Sequence, residues 1–118
     1  VRLFVQAGAE VLLNLSNDGY FGRSAAREQH LKIARMRAAE NRRWMLRATN
    51  DGITAVIDPA GRLVQQLPPY QEAAMLAQYS YEKGLTAYTR YGDWFVWLCA
   101  AAGLLSLGVS LRSLRLRG

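Results

Sequence analysis

The apolar positions of the chain fall into runs of different period, and each period predicts an element. Leu3, Phe4 and Ala7 share one side of Val1–Ala7, which predicts the last turns of a helix stopped by Gly8. Glu10–Ser16 is a short, nearly continuous apolar run between Gly8 and Asn17-Asp18-Gly19, the pattern of a strand in a sheet covered by helices. Ser16–Arg23 reads as a loop. From 25 to 43 the period becomes helical: Leu31, Ala34 and Ala38 form a stripe widened by Ile33 and Met36, with Ser24 as N-cap. Arg27, Lys32, Arg35, Arg42 and Arg43 fall on the other side, which predicts a solvated basic face. Strand-like runs follow at 44–48, 53–57 and 62–67, the last two joined across Pro59-Ala60-Gly61 as a hairpin. Residues 73–81 alternate enough to predict a further strand, and 84–93 reads as irregular.

The last 25 residues change character. Trp94–Leu111 carries no charge, and Arg112, Arg115 and Arg117 follow it. A charge-free run of this length is at the short end of what crosses a bilayer core of roughly 30 Å, and Trp94 and Trp97 stand where indoles favour the headgroup region. The pattern predicts a transmembrane helix at 94–111, a basic cytoplasmic tail at 112–118 and a soluble part at 1–93 on the opposite side of the membrane.

Charge changes little in this picture. The net charge is +6, and all nine acids and twelve of the fifteen Lys and Arg precede Trp94, so the soluble part is only about +3. The excess does not point to nucleic acid as a partner. Cys99, the only cysteine, has no disulfide partner in the chain and reads as a packing residue of the apolar block. His30 has no companions at ligand spacing, so no metal site and no cofactor are expected.

Helix, strand, helix and then several strands make an α/β layered arrangement. Within it, four stretches matter together: NLSNDGYFG (Asn14–Gly22), QHLKIARMRAAEN (Gln29–Asn41), RATNDGITAVIDPAG (Arg47–Gly61) and TAYTRYGDW (Thr86–Trp94). In this order they resemble the C-terminal part of the apolipoprotein N-acyltransferases, an inner-membrane family of bacteria in the carbon–nitrogen hydrolase (nitrilase) superfamily. The middle stretch is nitrilase-like in general; SNDGYFG and TAYTRYGDW with its apolar helix narrow the likeness.

The resemblance implies the C-terminal part of an αββα sandwich, residues 1–93, followed by one transmembrane helix. It implies an acyl chain taken from a phospholipid donor onto a Cys as a thioester, then given to the N-terminal amine of a diacylglyceryl-cysteine apolipoprotein. The catalytic Glu, Lys and Cys are expected upstream in the same polypeptide, so none is assigned here and the isolated chain is expected to be inactive. The Ser16–Gly22 loop is placed beside the active-site mouth, making Asn17, Asp18, Tyr20 and Phe21 pocket candidates, with turn-forming hydrogen bonds the competing role of Asn17 and Asp18. Arg37 and Glu40, three apart on a helix, are expected to pair and support the catalytic layer. Tyr88, Arg90, Trp94 and Trp97 are expected at the membrane interface. The family often has Trp at position 20, Pro at 87 and small residues at 89 and 91; Tyr20, Ala87, Thr89 and Tyr91 depart from that. A membrane-tethered amidase of the same superfamily is the alternative reading.

Overall fold

In a computed structural model, the chain is described except for residues 22–23, 69 and 116–118 and the side chains at 21, 110, 111 and 113–115. The elements are α1 (Arg2–Gln6), β1 (Val11–Ser16), a 3-10 turn (Gly19–Phe21), α2 (Ala26–Asn41), β2 (Trp44–Thr49), β3 (Ala55–Ile57), β4 (Leu63–Gln66), α3 (Ala87–Tyr91) and α4 (Trp94–Arg115).

The strands form one sheet in the order β1-β2-β3-β4. β1 and β2 are parallel, with Val11 opposite Trp44 and Ser16 opposite Thr49. Parallel neighbours need a long crossover, and α2 supplies it. β2, β3 and β4 run antiparallel through short connections. The β3–β4 turn is built by Asp58, whose Oδ1 accepts from the N–H groups of Ala60 (2.9 Å) and Arg62 (2.8 Å). Gly61 follows at φ +77°, a conformation that favours glycine. Its carbonyl accepts from Arg35 Nε at 2.7 Å, so the turn is clasped to α2.

Helices cover one face of the sheet. Val5 of α1 and Leu31, Ala34 and Ala38 of α2 bury against Leu12, Met45, Ala55 and Ile57. The alternation of a strand sends Leu13 and Leu15 to the opposite face, where they are 72 % and 81 % exposed. Beside them a groove of about 350 Å³ lies between the sheet and the 73–77 segment.

Several expectations need correction. Residues 73–81 join no ladder; the backbone runs alongside the sheet, and its nearest strand-like bond is Glu82 N to Glu10 O at 3.2 Å. Residues 84–93 are not irregular throughout, because Thr86 caps α3 by accepting from Thr89 N at 2.9 Å. The helix predicted at 25–43 is shorter at both ends. Ala25 rather than Ser24 is its N-cap, without a side-chain bond, and Arg42 ends it in the left-handed region at φ 47°. Ile33 and Met36 do not widen the buried stripe; about half of each is exposed, because the sheet covers only the Leu31–Ala34–Ala38 line.

The basic face is not uniformly solvated. Arg27 and Arg43 are buried. Arg43 lies beyond the helix, where its Nε donates to Ala9 O (2.8 Å) and its Nη1 to Arg42 O (2.9 Å) and Gly84 O (2.8 Å). Carbonyl acceptors compensate the buried guanidinium and tie three separated segments together.

At the C-terminus α4 runs from Trp94 to Arg115, and every described side chain from Trp94 to Val109 is exposed. Among the described residues no helix is long and apolar enough to cross a membrane. The crossing expected at 94–111 is therefore not met by the described residues: their apolar side chains stop at Val109, while the charge-free run continues in sequence to Leu111.

Candidate functional site

Two loops meet at the edge where the parallel strands β1 and β2 end, and Asp18 is their hub. Asn14 and Ser16 point to the α2 side of β1, and Arg47 and Thr49 stand opposite them on β2. A row of polar side chains therefore faces inward at the one end of the sheet where the apolar stripe of α2 gives way to His30 and Arg27.

Asp18 is completely buried. Its Oδ1 accepts from Ser16 Oγ at 2.6 Å and lies 3.1 Å from His30 Nδ1, while its Oδ2 accepts from Arg47 Nη2 at 2.7 Å. Arg47, also buried, donates from its other terminal nitrogen to Asn14 Oδ1. Burial by itself raises the carboxyl's pKa. The Ser16 and His30 hydrogen bonds and the Arg47 charge outweigh that and hold Asp18 below its ordinary value of 3.8. An ionised carboxylate only accepts, so His30 presents a protonated Nδ1 to it.

The second loop locks onto the first. Asp18 N donates to Asn50 Oδ1 at 3.1 Å, and Asn50 Nδ2 donates to Asn17 Oδ1 at 2.7 Å. Asn17 Oδ1 also accepts from Gly19 N at 3.1 Å, the Asx bond expected of a turn residue. Gly52 lies so close that a Cβ there would come 2.1 Å from Asp18 Oδ2. Outside the lock, a cleft of about 540 Å³ opens between Thr49–Gly52 and Tyr70–Glu72.

Chemically, this edge is a buried hydrogen-bond network centred on one carboxylate. Ser16 and His30 both direct a proton to one carboxylate oxygen, so the Ser16 hydroxyl is bound to the buried carboxylate rather than to an imidazole and the arrangement is not a Ser-His-Asp triad. Among the described residues no group of three or more His, Cys, Asp or Glu is placed to hold a metal ion. Cys99 is exposed on α4.

The pocket candidates separate. Asn17 and Asp18 belong to the lock, while Tyr20 projects outward, 88 % exposed. Phe21 closes the 3-10 turn, and its side chain lies outside the described residues. Arg37 and Glu40 do pair, at 2.7 Å and partly exposed, near the other end of α2. Glu40 O accepts from Thr86 Oγ1 at 2.6 Å, which fixes the start of α3. Thr89, one of the departures, is buried and donates to Asn41 Oδ1 at 3.0 Å. Tyr88 is half-buried and Arg90 exposed on α3, and Trp94 and Trp97 are exposed on the first turn of α4. The partnership of Arg47 with Asp18 was not anticipated. The available signal was the alternation of β2, which places Arg47 on the same face as buried Met45.

Residues 1–83 match the carbon–nitrogen hydrolase family. Among curated proteins, the apolipoprotein N-acyltransferase of Azotobacter vinelandii is 45 % identical over 105 residues, 89 % of this chain and 20 % of that protein. That of Pseudomonas aeruginosa strain PAO1 is 46 % identical over 110 residues (92 % and 21 %), and that of Nitrosomonas europaea 47 % over 103 residues (87 % and 20 %). The chain thus spans about a fifth of the length of the curated relatives it matches.

Proposed function

This chain belongs to the carbon–nitrogen hydrolase family, and on that premise we propose that it is the scaffold part of an apolipoprotein N-acyltransferase. The observation that carries the reading is the identity of 45–47 % to proteins of that name over nearly the whole chain, including the stretch beyond the hydrolase match that leads into α4. In the reaction, a Cys thiolate outside this chain attacks a phospholipid ester, forming the thioester as the ester C–O bond breaks and the protonated lysophospholipid leaves. The thioester then passes the acyl group to the amine of a diacylglyceryl-cysteine lipoprotein, so that one difficult transfer becomes two easier ones. The part assigned to this chain is to hold the Asn17–Phe21 loop rigidly at the mouth of that site, with Asp18, Arg47 and Asn50 as positioning residues and Tyr20 offered to lipid or acceptor. Preorganised geometry of this kind is worth orders of magnitude in rate. The other half of an αββα sandwich is the cover proposed for the bare face of the sheet.

We further assign α4 to the bilayer. Among the described residues its exposed Phe95, Val96, Leu98, Leu104 and Leu105 have no apolar cover, and the run stays free of charge from Trp94 to Leu111. The three following arginines favour a cytoplasmic C-terminus and a periplasmic sheet domain at a bacterial inner membrane.

The test is a chimera. Residues 1–118 replace the matching segment of the Azotobacter vinelandii relative, and transfer from phospholipid to a diacylglyceryl lipopeptide is followed by mass spectrometry. Retained transfer, lost on Asp18→Ala, is the expected result. A well-folded chimera that hydrolyses small amides but transfers no acyl chain overturns the reading in favour of an amidase. The isolated chain forms no acyl-thioester, and its appearance would remove the assignment of the nucleophile to a segment outside this chain.

A further inference from the structure

α1 is fixed at the root of α4. Gln6 Nε2 donates to Thr89 O at 2.8 Å, and the Arg2 guanidinium lies against Gly92, where a Cβ would come 3.0 Å from Nη1. Two residues after Gly92, α4 begins at Trp94. At 1.5 Å per residue, the five residues of α1 span only about 7.5 Å, so all of it lies near the level at which α4 leaves the domain.

Only Val5 of this helix is buried. Leu3 and Phe4 are 71 % and 70 % exposed, and α3 and the start of α4 add exposed Tyr91 and Trp94. An outward pair of large apolar residues on a single-turn helix is costly in water unless something covers it. Arg2 and Arg90 stand among these residues, and Asp93 is the one acid across 2–6 and 87–93. Aromatic and aliphatic groups at one level with interspersed arginines match the lipid headgroup zone, where indoles and phenols sit and guanidinium groups meet phosphate.

We infer that α1, α3 and the first turn of α4 form a seat on the membrane surface, with Leu3 and Phe4 entering the interface beside Trp94 and with Arg2 and Arg90 facing lipid phosphates. The occupant is an anionic bilayer surface, chosen because α1 is bound to the Thr89–Gly92 segment from which α4 starts and because the patch is net positive. This rests on the assignment of α4 to the bilayer and goes beyond it, since it fixes the tilt of the sheet domain and places the α1–α3 side against lipid.

The test uses the 118-residue chain with Cys99→Ala, reconstituted into phosphatidylcholine vesicles with and without phosphatidylglycerol. Phe4→Cys carries an environment-sensitive fluorophore, and Val64→Cys on β4, also exposed, is the reference. Resistance to alkaline extraction reports on α4 itself. The expected result is an extraction-resistant chain in which lipids brominated near the headgroup quench the label at 4 several-fold more strongly than the label at 64. Arg2→Glu combined with Arg90→Glu should reduce that quenching in phosphatidylglycerol vesicles. If the chain resists extraction but positions 4 and 64 are quenched equally, the seat is overturned while α4 stands. A label at 4 shielded from lipid but self-quenching as protein density rises shows a second copy on the patch and likewise overturns it. A chain that is extracted overturns the bilayer assignment, and the seat falls with it.

Discussion

On the face of the sheet toward α2, Leu12 and Met45 are buried and the polar residues that follow them are paired; on the opposite face Leu13 and Leu15 stand exposed. The two faces come from the same strand, residue by residue. The covered face joins a buried carboxylate to Ser16, His30 and Arg47, and the Arg47 guanidinium to Asp18 and Asn14 with its Nε left unpaired, whereas the bare face presents leucines and a groove. The difference separates what this chain stabilises by itself from what it offers to something else. Substitutions on the covered face should unfold the domain, and those on the bare face should show their cost only when a partner is present.

The largest effect is expected at Asp18. Asp18→Ala leaves Arg47 buried without its carboxylate, which costs about 3–5 kcal/mol and should abolish cooperative unfolding in urea followed by circular dichroism. Leu12→Ala, at a buried position of the core, should cost about 2–4 kcal/mol in the same measurement. Gly52→Ala forces a methyl into the space of Asp18 Oδ2 and should cost about 1–3 kcal/mol.

A smaller effect comes from acid. The folded Asp18 carboxyl titrates below 3.8, so its contribution is complete above that value and is lost as pH falls through the lowered one. Asp58 acts in the same direction: burial raises its carboxyl, but the Arg62 and Ala60 N–H groups and the Arg62 charge outweigh this and lower it. Unfolding midpoints should therefore drop on acidification, and Asp18→Asn should flatten that slope. The smallest change is expected on the bare face, where Leu13→Ala should shift stability by no more than about 0.5 kcal/mol. A cost there equal to that of Leu12→Ala would erase the contrast between the faces.

Much of this arrangement was legible in the sequence where period and punctuation agree. Glycine and the Asn17-Asp18-Gly19 cluster bracket β1, and Asp58-Pro59-Ala60-Gly61 writes the β3–β4 turn. The reading failed where a local pattern lacks a tertiary partner. Residues 73–81 alternate but find no strand to pair with, since hydrogen-bonded neighbours and not propensity decide a ladder. α3 is a single turn set by the Thr86 cap, too short to show a period. The candidate site was half legible. Asn17 and Asp18 stood out as turn formers, but Arg43 and Arg47 were hidden because arginine is ordinarily a surface residue, and only partners distant in sequence reveal a buried one. Arg27, stacked 4.3 Å from the centre of the Tyr70 ring, escaped for the same reason.

β1 ends the sheet, and among the described residues no strand pairs with its outer side. A row of free amide and carbonyl groups beside two outward leucines is a template for any extended chain that meets it. At high concentration the separated polypeptide should therefore elongate strand to strand into fibrillar material. A lysine at position 13 or 15 would act as a gatekeeper and keep preparations dispersed for spectroscopy.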